Sequence, residues 1–132
     1  MEYLAILLSA VASMIVGSLW YGPLFGKTWI KLAGFTKEQI AEGKKMNMTP
    51  YYFTAFIMSL LTAYVLNWLI SSLAISSLSG ALTLGALIWL GFYVTTLSSS
   101  VIWEGKPLKL FILNISYGLV IFLIISAIIF YL

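Results

Sequence analysis

The chain is 132 residues long, 62% hydrophobic and only 8% charged, with a net charge of +3 and a mean hydropathy of +1.06. A soluble domain of this length needs far more polar surface, so the composition excludes one and points to an integral membrane protein. Cys, His, Asp and Arg are all absent, which excludes disulfides, imidazole or thiolate catalysis, His or Cys metal sites and Ser-His-Asp triads.

Residues 3–25 carry no charge and suffice to cross a hydrocarbon core of about 30 Å as a helix. Ala10-Val11-Ala12 has the look of a signal-peptidase site. The residues before it include Glu2, no lysine and too short an apolar run, so the stretch is read as a first membrane helix. Ala5, Ser9, Ser13 and Gly17 recur every four residues along it, the spacing that lets helix backbones approach closely in lipid. The helix ends on Trp20-Tyr21-Gly22-Pro23, two aromatics suited to a membrane interface followed by a helix-breaking pair.

Residues 26–49 form the longest polar segment and hold five of the seven lysines. Trp29, Ile30, Leu32 and Phe35 interleave with Lys27 and Lys31, a mixture that suits a segment lying in the headgroup layer with its ammonium groups snorkelling outward. Thr36 and Gln39 have capping-box spacing, which predicts a short amphipathic helix from about Lys37 to Lys45, with Gly34 and Gly43 as interruptions.

Thr49-Pro50 reads as an N-cap with proline at the first helical position, opening a second span over about 50–70. Its stripe is Ala55, Ser59, Ala63 and Asn67, with Asn67 near the far end, where water or a loop carbonyl would satisfy it. An uncharged turn over 71–80 leads to a third span over about 81–102. Gly85, Trp89, Gly91, Thr95 and Ser99, with the cluster Ser98-Ser99-Ser100, are expected there to meet another helix, with hydroxyls bonded one turn back. Trp103-Glu104-Gly105-Lys106-Pro107 forms the second polar connector, and a fourth span follows over about 108–131. Asn114 is costly in hydrocarbon unless it faces protein, so it is placed inward, with Gly118 and Ser126 on the same face and Tyr117 beside it. Glu104, alone in its connector, is expected to pair with Lys27 or Lys106 and so to hold two helical hairpins together.

Four spans put both termini on one face and all seven lysines on the other, and the positive-inside rule makes the lysine loops cytoplasmic in a cell-membrane protein. Gly26-Lys27-Thr28-Trp29-Ile30-Lys31-Leu32 and Gly105-Lys106-Pro107-Leu108-Lys109-Leu110 each follow an odd-numbered span, the pattern of two duplicated parallel hairpins. Too few positions match to separate duplication from chance. The expected fold is therefore all-α integral membrane: one domain over 1–132, four transmembrane helices as two hairpins, and a short amphipathic helix in the first cytoplasmic loop.

Leu19-Trp20-Tyr21-Gly22-Pro23-Leu24-Phe25-Gly26-Lys27-Thr28-Trp29, with Lys31, Leu32 and Gly34, resembles the N-terminal signature of the domain-of-unknown-function family numbered 1761. Trp103-Glu104-Gly105-Lys106-Pro107, continuing through Leu110, Phe111, Asn114 and Tyr117, is similar to the same family's C-terminal half, with Lys106 where an arginine is expected. The resemblance spans essentially the whole chain and implies a small four-span membrane protein without an established activity. It adds no mechanism.

The candidate structural or ligand residues are Trp20, Tyr21, Gly22, Pro23, Lys27, Trp29, Trp103, Glu104, Lys106, Asn114 and Tyr117. No catalytic, cofactor or metal residue is assigned, and no enzyme is expected, because the chain offers no paired second carboxylate and no nucleophile–base pair. The expected function is a membrane-embedded binding and assembly module, self-associating, with anionic lipid at its lysine face and no role for nucleic acid. The alternative is a small oligomeric transporter or channel for an ion or an uncharged solute. Against that stands the lack of an ionisable side chain at mid-depth in any span.

Overall fold

The structure, a computed structural model, describes residues 2–132 and is built from helices joined by turns. The chain begins with α1 (Glu2–Leu19), continues through a widened turn at Trp20–Leu24, and then bends into α2 (Gly26–Ala33). Gly34, with φ +76°, stops α2 in the left-handed conformation that glycine adopts without a Cβ clash. Next comes α3 (Lys37–Lys45), whose first turn is closed by a reciprocal pair. The Gln39 amide donates to Thr36 Oγ1 at 3.1 Å, and the Thr36 amide donates to Gln39 Oε1 at 2.8 Å. Gly43 lies inside this helix, so it does not interrupt it.

The long helix α4 (Thr49–Ser72) follows. Thr49 is its first helical residue rather than its cap. The Asn47 side chain accepts from the Thr49 amide at 3.2 Å, and Pro50 sits in the first turn, where its missing N–H costs nothing. After a turn in which Ala74 takes a positive φ of 53°, Ser77 caps α5 (Leu78–Ile88) by accepting from the Gly80 amide. A second widened turn, Trp89–Val94, carries the helix on into α6 (Thr95–Leu97) and α7 (Ser99–Ile102). The chain closes with α8 (Leu108–Tyr131).

Four stretches are long and apolar enough to cross a membrane: Glu2–Leu24, Thr49–Ser72, Leu78–Ile102 and Leu108–Tyr131. Their limits fall within a few residues of those read from hydropathy alone. In helical form each satisfies its own backbone, which hydrocarbon demands.

Helix α8 is the central post. It packs against α1, α4 and α5, while α1 also packs along α4, and α4 and α5 meet only sparsely. The core is small and made by close approach: Ala5, Ala63 and Ala81 are wholly buried beside Leu66, Ile70, Ile125 and Ile129. Ser9 and Ser13 of the first stripe are buried with them. The second stripe is buried only at Ala63 and Asn67, while Ala55 is exposed. Neighbouring spans run in opposite directions. Glu2 at the start of α1 bonds Asn67 near the end of α4, and Tyr21 at the end of the first span bonds Asn114 near the start of α8.

Candidate functional site

The site is assembled where the first span breaks. Pro23 lacks an N–H, and Gly22 takes φ −113° and ψ −107°, far from helical values, so the turn widens. The Phe25 amide donates back to the Trp20 carbonyl at 2.8 Å, five residues earlier. The chain then folds against its own kink. A Cβ on the buried Gly26 would sit 2.8 Å from the Tyr21 carbonyl oxygen, so only glycine fits there.

This kink aims Trp20 and Tyr21 at α8. The Tyr21 hydroxyl donates to Asn114 Oδ1 at 2.6 Å, and its ring meets Tyr117 edge-on at 5.1 Å and Trp29 at 5.3 Å. Trp20 lies 6.1 Å from Tyr117 and 4.7 Å from Phe25, ring to ring, and Trp29 continues the chain of rings to Phe35. The Trp20 indole N–H is buried and has no hydrogen-bond acceptor. Gly17, one turn earlier, leaves room for the Tyr117 hydroxyl, which would stand 3.1 Å from a Cβ at that position.

The third span reaches the same turn of α8 from the other side. Trp89 Nε1 donates to the Ile115 carbonyl at 2.7 Å, and the Tyr93 hydroxyl donates to the Asn114 carbonyl at 3.3 Å. The Tyr93 ring occupies the place a side chain on Gly118 would take. One turn of α8, Asn114–Gly118, therefore receives a tryptophan and a tyrosine from each of two spans. Both pairs stand in or beside a widened turn with the pattern Trp-x-Gly, at Trp20–Gly22 and Trp89–Gly91.

Of the residues singled out in the sequence, Trp20, Tyr21, Trp29, Asn114 and Tyr117 come together here. Gly22 and Pro23 shape the kink and are themselves exposed, as is Lys27. The second connector stands apart: Trp103 is 84% exposed, and Glu104, Gly105 and Lys106 are exposed with it. Neither Lys27 nor Lys106 lies within ion-pair distance of Glu104 among the described residues, which corrects the expected clamp between the hairpins. An exposed carboxylate at the polar edge keeps its water, so it needs no partner. Asn67 is also corrected. Its Nδ2 donates to the Glu2 carboxylate, not to water or a loop carbonyl.

The third-span hydroxyls differ from expectation as well. Thr95, Thr96 and Ser99 are exposed rather than set against another helix of the same chain. Thr95, Ser98, Ser99 and Ser100 each donate to a carbonyl of their own helix, at 2.6–3.1 Å. The sequence reading placed Trp89 at an interhelical contact and Gly118 on the face of Asn114, where the structure has them, but it did not join either to the site and missed Tyr93. The repeated Trp-x-Gly was the available signal.

Chemically, the arrangement offers tyrosine hydroxyls, an indole N–H and a carboxamide in an apolar setting. It is built for hydrogen bonding and packing. No cluster of three or more His, Cys, Asp or Glu is present among the described residues. Compared with known proteins, the chain matches the family described as "protein of unknown function (DUF1761)" over residues 4–130. No curated protein and no solved structure matches it.

Proposed function

The chain belongs to that family, and on this premise we propose that it is a membrane-embedded binding and assembly module that associates with further copies of itself. In this reading the first two and the last two spans form two helical hairpins joined along α8, and α2 and α3 lie in the headgroup layer. The lysine connectors face the cytoplasm against anionic headgroups, with both termini outside. The chemistry of the Asn114–Gly118 hub supports binding and packing rather than catalysis.

One observation carries self-association. In its most apolar window the third span is only 11% buried, against 28% for the first. Its uncovered face presents Gly91, with nothing near a Cβ there, beside exposed Thr95, Thr96 and Ser99. Small residues on an uncovered face allow a second helix to approach closely, which is how association is driven in lipid. The chain has no cysteine of its own, which makes the test direct. Gly91→Cys or Thr95→Cys in native membranes is expected to yield oxidised dimers, and Ile15→Cys on the outside of α1 is not. Monomer alone from every position would refute the proposal.

A second reading, a small oligomeric transporter or channel, draws on the same hydroxyl row, which copies packed side by side would enclose. Each bonded hydroxyl is already satisfied within its own helix, which favours the first reading. Solute flux in proteoliposomes that is abolished by a bulky substitution at Gly91 or Thr95, with dimer formation intact, would reverse that preference.

A further inference from the structure

Helices α1, α4 and α8 pack on one another, and at the end away from the lysine connectors a cavity of about 380 Å³ opens among them. Its mouth is at the span ends: Glu2 begins α1, Ser71 stands one residue before the end of α4, and both are exposed. Asn67, also in the lining, lies five residues inside the end of α4, which at about 1.5 Å per residue is roughly 7–8 Å deep.

The polar lining is made of acceptors. The Glu2 carboxylate can only accept, and among the described residues it takes one bond, from Asn67 Nδ2. That bond orients the amide: its nitrogen faces Glu2, so its oxygen does not. Asn67 is only 9% exposed, yet its Oδ1 has no donor among the described residues. Ser71 Oγ has no partner there either, whereas the hydroxyls of Ser13, Thr62 and Ser126 each donate to their own helix. A nearly buried oxygen without a donor is costly, so the donor comes from outside the chain.

The rest of the lining says what kind of donor fits. Ile70, Ile129 and Phe130 make an apolar wall beside these oxygens, and all seven lysines belong to the other end of the bundle. A few acceptors converging beside an apolar wall, in a volume within the ~300–1,000 Å³ of small-molecule sites, suit an organic cation. A bare metal ion needs several oxygens converging at about 2.0–2.6 Å, and it would leave the apolar wall unused.

We infer that this cavity binds a small primary ammonium compound, entering from the end opposite the lysines. Its N–H groups meet Glu2, Asn67 Oδ1 and Ser71, and its hydrocarbon stem lies against Ile70, Ile129 and Phe130. This names the ligand for the binding half of the proposed function; it rests on that half and not on self-association.

The test uses the whole chain in phosphatidylcholine nanodiscs with isotope-labelled asparagine. The side-chain amides of Asn47, Asn67 and Asn114 are followed by NMR as methylammonium, ethylammonium or n-propylammonium chloride is added. A saturable shift is expected at Asn67 and not at the other two. Each further CH₂ is expected to tighten binding by about fourfold, the equivalent of ~0.8 kcal/mol per buried CH₂. Glu2→Gln should weaken binding by roughly tenfold, since a hydrogen bond to a charged group is lost. Ser71→Ala should weaken it a few-fold, and Glu104→Gln, at the lysine end, should leave it unchanged.

The same saturable shift from sodium chloride would overturn the inference in favour of an inorganic cation, and from n-propanol in favour of a purely apolar site. Equal shifts at all three asparagines would overturn it too. So would the absence of any saturable shift, which would mean that the chain satisfies Glu2 and Asn67 by itself. A shift produced by phosphatidylethanolamine nanodiscs, and not displaced by n-propylammonium, would give the cavity to a lipid headgroup instead. The wild-type series decides even where Glu2→Gln fails to assemble. A null result here leaves the Gly91→Cys crosslink standing, and failure of that crosslink leaves this site standing.

Discussion

At the scale of single residues, the hub depends on two places where a side chain would not fit and one bond between distant parts of the chain. The Tyr93 ring lies where Gly118 would carry a Cβ, so Gly118→Ala must push the ring aside and lose its contact with the Asn114 carbonyl. Overpacking of this kind costs about 1–3 kcal/mol, read as a lower thermal midpoint in detergent. An unchanged midpoint would mean that the ring has room to move. The Tyr21–Asn114 bond joins residues 93 positions apart. A double-mutant cycle of Tyr21→Phe and Asn114→Ala is expected to give a coupling of roughly 0.6 kcal/mol, the average measured for interhelical hydrogen bonds in a membrane protein, and no more than about 1.7 kcal/mol. Strict additivity of the two changes would show that the contact contributes nothing.

At the scale of elements, the two widened turns do what regular helix would not. A helix running straight through Trp20–Leu24 would carry Gly26–Ala33 onward along the span axis. The break at Gly22 and Pro23 instead returns it to the base of α8, with Trp29 against Tyr21. Helix α3 depends on local chemistry alone, since none of its residues is buried. Thr36→Ala removes the acceptor for the Gln39 amide and is expected to cost α3 about 1 kcal/mol. Faster amide exchange at Gln39 and Ile40, with α4 and α8 unaffected, is the expected outcome. Unchanged protection would show that α3 is held from outside, by the membrane surface or a second copy.

At the scale of the whole molecule, charge is divided between the two ends of the bundle. Glu2, Asn67 and Ile129 line a cavity of about 380 Å³ at the end opposite the lysine connectors. The positive-inside rule predicts that a reporter fused after Leu132 reads as outside the cell. A cytosolic signal would reverse the orientation while leaving the packing untouched. Among the described residues Glu2 carries the one carboxylate side chain at that opposite end, and it accepts from Asn67 across the α1–α4 seam. Asn67→Leu removes that donor and is expected to lower the thermal midpoint. The loss should be smaller when Glu2 is also neutralised by Glu2→Gln, because the carboxylate then no longer lacks a partner.

The number of spans, their limits and the family were legible in the sequence because each is a local property. Transfer into hydrocarbon is set residue by residue, so twenty uncharged positions in a row announce a span whatever surrounds them. Asn114 and the Trp20-Tyr21 pair drew notice for the same reason, as polar or interfacial groups with a calculable cost in lipid. The company these residues keep was decided only in three dimensions. Whether Tyr93 reaches α8, whether Glu104 finds a lysine, and whether the third-span hydroxyls meet a helix all depend on how each helix is turned about its axis and how far the kinks displace it. A kink at Gly22 or a widened turn at Gly91 shifts every later side chain to a new face. Hydropathy is blind to that rotation, because lipid and a neighbouring helix are equally apolar.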